Sequence, residues 1–160
     1  MTQIDLHPFT PADRDWTVAV HIETYEQGEG FDATFGRTVA QILDDFSANQ
    51  DFACERGWVA WRGDARLGTI FCMRLNEQTA KLRLFQLVAQ ARGHGLGRCL
   101  LEECTGFARA KGYREMQLAT HKSHEAAVAL YQRNGWQVTE EKPVVAYGLP
   151  LVEQTMRLKL

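Results

Sequence analysis

The sequence predicts an α/β (α+β) fold: a mixed, mostly antiparallel seven-stranded sheet with helices on both faces. Three observations lead there. A strand–turn–helix–strand succession runs from Ala80 to Thr120 and requires a parallel crossover. Strands joined by short turns precede it, from Trp58 to Ala89, and predict an antiparallel meander. Apolar residues at helical spacing mark Phe35 to Phe46 and Leu96 to Ala108 as helix faces packed on that sheet.

Taken in order, Ile4 to Phe9 alternates apolar with polar and reads as the first strand. Thr10-Pro11-Ala12-Asp13 then starts a helix, with Thr10 as N-cap, Pro11 at the first helical position and Asp13 in an acidic first turn. That helix is expected to run to Tyr25, and Glu26 to Gly30 is a break carrying Gly28 and Gly30. Phe35, Val39, Ile42, Leu43 and Phe46 form one stripe on a second helix. Trp58 to Trp61 and Leu67 to Leu75 are strands joined by the turn Gly63-Asp64, and Ala80 to Ala89 is the next. A helix over Gly95 to Lys111 stops at Gly112, and Met116 to Thr120 is a short strand. Glu125 to Asn134 is a helix stopped by Gly135, and strands follow over Trp136 to Val145 and Thr155 to Leu160.

With 160 residues, 45% hydrophobic and 24% charged, the chain has the makeup of one domain spanning 1–160 with a sizeable core. No apolar run approaches the ~18 residues of a membrane span, and no charged-then-apolar N-terminus reads as a secretory signal, so a cytoplasmic location is expected. Cys54, Cys72, Cys99 and Cys104 show no C-x-x-C spacing and read as free thiols. Net charge is −2 but uneven: residues 1–55 hold 11 acidic and 2 basic side chains, a balance of −9, and residues 56–160 hold 9 and 16, a balance of +7. Solvated helix faces explain this; so does a basic part that meets an anionic cofactor and an acidic part that draws in a cationic amine. No uniformly basic stripe for nucleic acid is present.

The most informative stretch is Arg92-Gly93-His94-Gly95-Leu96-Gly97-Arg98, between the apolar run Leu82 to Ala89 and the helix behind it. Glycines let backbone N–H groups come close to a ligand, and a helix N-terminus presents unpaired donors to an anion, so a phosphate fits here. The dinucleotide fingerprint G-x-G-x-x-G fails because Arg98 stands at its third glycine. The P-loop fails because Gly97 is followed by Arg98 and Cys99 rather than by Lys and Ser or Thr.

Arg92, Gly95 and Gly97 resemble the R/Q-x-x-G-x-G/A signature of the GNAT superfamily of acetyl-CoA-dependent N-acetyltransferases. The segment Ala127 to Trp136 is similar to that family's second signature, A-x-x-L-Y-x-x-x-G-F, with Trp136 in place of Phe. The likeness extends over nearly the whole chain to the acetyltransferase domain fused behind winged-helix regulators of the MarR type, expected here without the DNA-binding domain. Tyr25, Gly30 and Asp32 match positions in those relatives, whereas Val144 and Val145 replace a histidine pair common in them.

The resemblance implies the GNAT fold, acetyl-CoA as co-substrate without a metal, and direct transfer to the amine of a small-molecule or amino-acid-like acceptor. It implies that the loop from Arg92 through Gly93, His94, Gly95, Leu96 and Gly97 to Arg98 holds the CoA pyrophosphate. The backbone of Gln86, Leu87 and Val88 would pair with the pantetheine arm, and Tyr131 would be the general acid that protonates the departing thiolate. His124 stands where many relatives carry an asparagine that touches the pantetheine. Glu23, Tyr25 and Glu26, at the end of the first helix, could each take the amine's proton directly or through water, with Glu23 the candidate base, and Tyr25, Glu26, Phe31 and Tyr147 are candidate acceptor contacts. His121 and His124 alone do not make a metal site. Relatives of this kind often form homodimers, but nothing in the sequence fixes an interface. Two other readings stand beside this one: a non-catalytic acyl-CoA-binding regulatory module, and a nucleotide-binding structural domain using the same glycine loop.

Overall fold

In the computed structural model, which describes residues 3–160, the strands are β1 (Ile4–Pro8), β2 (Arg56–Arg62), β3 (Ala65–Arg74), β4 (Thr79–Leu87), β5 (Glu115–His121), β6 (Gln137–Ala146) and β7 (Leu149–Lys159). The helices are α1 (Arg14–Ile22), α2 (Thr34–Asn49), α3 (Leu96–Ala110) and α4 (Glu125–Arg133). One seven-stranded sheet has the order β1-β2-β3-β4-β5-β7-β6, and only β4 and β5 pair in parallel. The crossover through α3 makes that pairing, because parallel neighbours cannot be joined by a hairpin. This is the fold expected from the sequence.

Alternation along the strands divides the buried side chains between two cores. Trp58, Ala60, Ile70 and Cys72 face α3 and α4, packed with Leu100, Cys104 and Tyr131. Val59, Phe71 and Met73 face the other way, against Val39, Leu43 and Phe46 of α2. Of the stripe its spacing singled out, α2 buries Val39, Leu43 and Phe46 and leaves Phe35 and Ile42 half-buried, and the helices lie on both faces. All four cysteines are free thiols.

Two boundaries differ from expectation. Helix α1 ends at Ile22, and Glu23–Gln27 opens into a π-helical turn instead of continuing α-helical to Tyr25. Strand β7 begins at Leu149, six residues before Thr155, because the turn at Tyr147 and Gly148 folds it back on β6 from the Ala146–Leu149 pair onward. Pro150 and the broken alternation of Leu149–Gln154 hid this half of the strand, which has a partner only on its β6 side until it meets β5 at Glu153.

Gly57 marks the tightest contact between strands and core. A Cβ there would lie 2.3 Å from the ring of Phe71, which is fully buried against Phe9 and Phe46. Gly57→Ala is therefore expected to destabilise the fold by about 1–3 kcal/mol. Urea unfolding checks this, and an unchanged midpoint would refute it.

Candidate functional site

The site begins where β4 and β5 part. They are in register only over Thr79–Lys81 and Glu115–Gln117; beyond that each keeps its outer partner and the edges facing each other are bare. A bulge helps to turn β4 away. The register with β3 shifts between Thr69 and Phe71, Leu84 takes φ +49, and the Thr69 hydroxyl donates to the Leu84 carbonyl at 2.8 Å. The resulting cleft has a volume of about 1730 Å³, more than one small ligand fills.

At one end the cleft meets the N-terminus of α3. Gly95 is its N-cap with φ +81, and Gly93 has φ +80, a conformation that L side chains rarely adopt. No side chain caps the helix and its first turn holds no acidic residue, so the first amides face outward with their partial positive charge intact. Arg92 and Arg98 line the same end, Arg98 tied to Glu102 at 2.8 Å. A Cβ on Gly97 would sit 3.3 Å from Leu130, which keeps α3 and α4 close at the mouth.

Along the opening, β4 presents the backbone of Leu87. The Val88 N–H is spent on the Leu67 carbonyl at 2.9 Å, so by strand alternation the Leu87 N–H and C=O point to the bare side. Arg92 and the Gln86 side chain both donate to that Leu87 carbonyl, at 3.3 and 3.1 Å. Gln86 also donates to the Thr24 hydroxyl at 2.8 Å, which ties the π-helical turn to β4. Tyr131 lines the opposite wall. It is buried between Phe85 and Trp136, its hydroxyl makes no hydrogen bond among the described residues, and burial raises its pKa, so it is a neutral phenol at physiological pH.

The far end is an aromatic chamber. Phe31 stacks on Tyr25 and Tyr147 with centroids 5.4 and 5.0 Å apart, and Phe35 closes against all three. The Asp32 N–H donates to the Tyr147 carbonyl at 2.9 Å, joining the α1–α2 loop to the β6–β7 turn. His124 bonds Glu29 at 2.8 Å and packs edge-on to His121, whose Nδ1 is buried without a partner among the described residues. Burial lifts the Tyr25 phenol to about 12.

A match to the acetyltransferase (GNAT) family covers residues 19–136. The chain belongs to the GNAT acetyltransferases. It is 33% identical over 87 residues to N-acetyltransferase family 8 member 2 of Rattus norvegicus, covering 51% of this chain and 38% of that protein. Human N-acetyltransferase 8 is 31% identical over 98 residues, with 56% and 43% covered, so the chain spans less than half the length of these curated relatives. A putative acetyltransferase from Salmonella typhimurium, solved with its cofactor acetyl-CoA, superposes with TM-score 0.80 at 19% identity over 98% of this chain and 94% of that one. Ribosomal-protein-alanine N-acetyltransferase from Brucella melitensis superposes with TM-score 0.79 at 20% identity, over 98% and 99%.

In this GNAT acetyltransferase most residues singled out from sequence reach one cleft. Arg92, Gly93, Gly95, Gly97, Arg98, His124 and Tyr131 line it, as do Glu23, Tyr25, Phe31 and Tyr147. Two are placed differently: Glu26 turns away and accepts from the Gly36 N–H at 2.8 Å, and the Val88 N–H is used inside the sheet. The His94 side chain is exposed and that of Leu96 is buried in the core, so what these two present to the loop is backbone. Of the acidic residues in the first third, Asp13 pairs with Arg66, Asp44 pairs with Arg14, Asp32 accepts from Thr34, and Glu23 and Glu29 stand on the cleft wall. Phe35, Lys81, Arg83 and His121 are wall residues that sequence reasoning did not assign to the site. Phe35 was hidden in a helix stripe, and the other three in strands whose facing depends on the sheet.

His21, under this chamber, is 3% exposed, and its Nδ1–H donates to the Thr17 carbonyl at 2.7 Å. Burial lowers its pKa from 6.5 to about 4, and burial lowers that of His121 too. The folded state therefore binds fewer protons than the unfolded one between these values, so stability present at pH 7.5 is lost as pH falls through 6.5 toward 4. The loss from His21 is expected to reach about 2 kcal/mol by pH 5, and His21→Phe should flatten it. Urea titrations at pH 5 and 7.5 test this; equal pH dependence in parent and variant would refute it.

Proposed function

We propose that this chain is an acetyl-CoA-dependent N-acetyltransferase that moves the acetyl group directly to the amine of a small-molecule or amino-acid-like acceptor. The parting of β4 and β5 carries the reading. It leaves the Leu87 N–H facing an open edge, with a neutral buried phenol across from it and an uncapped helix N-terminus at one end. The amine nitrogen bonds to the thioester carbonyl carbon, the C–S bond breaks with its electron pair going to sulfur, and Tyr131 returns a proton to that thiolate. The Leu87 N–H is aimed where the carbonyl oxygen gains charge. Glu23, exposed on the cleft wall, is the candidate acceptor of the amine's proton, directly or through water. The names of the curated relatives, all N-acetyltransferases, support nitrogen as the acceptor atom.

The same reading takes the chain as one acetyltransferase domain over 1–160, similar to the MarR-fused acetyltransferase domains, cytoplasmic, active without a metal and able to form a homodimer. Among the described residues no helix is long and apolar enough to cross a membrane. A non-catalytic acyl-CoA-binding module has no need of the aromatic chamber into which the cleft continues, so catalysis is favoured.

Two variants test this. Tyr131→Phe is expected to lower the transfer rate constant by roughly 10- to 1,000-fold with CoA affinity unchanged, and the parent should show no loss of its acid up to about pH 9. An unaltered rate constant where chemistry is limiting would overturn the role. Gly95→Val places a β-branched residue at φ +81. It should cost about 1–2 kcal/mol of stability and about tenfold or more in CoA affinity by calorimetry. Parental affinity would remove the loop from the binding site.

A further inference from the structure

The floor of the aromatic chamber contains two cations that the transfer chemistry leaves without a task. Lys81 and Arg83 alternate with Ala80 and Leu82 of the α3-side core, so they project from β4 to the α1–α2 face, where both line the cleft. Both are half-buried, and among the described residues neither has an ion pair within 4.0 Å or a side-chain hydrogen bond. The carboxylates on the wall are engaged elsewhere or exposed: Glu29 is held by His124 at 2.8 Å, Glu153 lies 3.8 Å from Lys142, and Glu23 faces solvent. Lys81 and Arg83 share the cleft lining with Phe31, Phe35 and Tyr147. Burial lowers the pKa of both, the mark of cations that have given up water without gaining a partner.

We infer that the acceptor is an amino acid with an apolar or aromatic side chain, its carboxylate anchored by Arg83 with Lys81 beside it and its apolar body against Phe31, Phe35 and Tyr147. A planar guanidinium suits a carboxylate, and an ion pair in a partly closed chamber is screened less than one at the surface. The aromatic rings give the apolar body a surface to cover. Glu23 then lies on the wall as the group available to the ammonium end before it is deprotonated. This anchoring rests on the N-acetyltransferase reading of the same cleft, and it replaces attraction of a plain cationic amine with recognition of a zwitterion.

The experiment measures thiol release from acetyl-CoA with the twenty protein amino acids and, in parallel, their carboxamides, on the parent, Arg83→Gln and Arg83→Lys. Apolar and aromatic free acids are expected to be the best acceptors, at least about tenfold above their amides in kcat/KM. Arg83→Gln should remove that preference by raising KM about 10- to 100-fold for the acid alone, Arg83→Lys should recover part of it, and calorimetry should find CoA affinity unchanged in both. Saturation-transfer NMR on CoA-loaded protein reads acid binding independently of turnover. Acids that bind through Arg83 without thiol release would overturn the transferase reading and leave the anchor standing. Transfer to amides as good as to acids, an Arg83→Gln variant with parental preference, or no bound acid at all would overturn the anchor.

Discussion

The structure depends on the failure of two parallel neighbours to stay paired. A parallel ladder normally buries both strands from end to end, and leaving it after three residues exposes a row of backbone donors and acceptors at the middle of the sheet. That arrangement is tolerable only if something holds the strands apart and something else satisfies the freed groups. The first is done on the protein's side by the Leu84 bulge, by the Thr69 hydroxyl that stitches it, and by the Gln86–Thr24 bond that ties β4 to the π-helical turn. Side-chain donors from Gln86 and Arg92 cover the Leu87 carbonyl, whereas the N–H of the same residue points into the cleft.

From this opening the two ends of the cleft acquire opposite characters. At the α3 end the backbone dominates: positive-φ glycines and an uncapped first turn with no acidic residue in it. At the other end side chains dominate, with aromatic rings from the π-helical turn, the loop after it, α2 and the β6–β7 turn closing over a floor of polar groups from β4, β5 and β7. A single bond from Asp32 to the Tyr147 carbonyl joins the two halves of the chamber roof. Gly148 permits it, since φ is +78 there and a Cβ would come within 3.1 Å of the Asp32 carboxylate. The π-helical turn sits between the two ends and contributes to both, through Thr24 toward β4 and Tyr25 toward the aromatic wall.

Elements with strong local signals were legible in the sequence: the α2 stripe, the glycine loop and helix α3, the meander and the stops at Gly112 and Gly135. Hydrophobic periodicity and positive-φ glycines act over a few residues, so they can be read without knowing what packs against them. The α3 end of the cleft is of the same kind, because a helix start and its glycines are contiguous in the chain. The π-helical turn after Ile22 and the first half of β7 were not legible, since each exists through a distant partner: Gln86 for one and β6 for the other.

The sequence by itself thus determined the strand and helix order, the apolar stripe of α2, and the glycine turn before α3. Tertiary structure decided which charged and aromatic side chains share the chamber. Glu26 and Glu23 are three residues apart, yet one bonds an α2 amide and the other faces the cleft, because the turn between them is π-helical rather than α-helical. Lys81, Arg83 and His121 look out from strands whose facing is set only when the sheet is assembled, and Tyr147 meets Phe31 only when two turns more than a hundred residues apart exchange a hydrogen bond. Local preferences extend over a turn or a strand, but the position of a charge relative to a partner elsewhere in the chain is a property of packing.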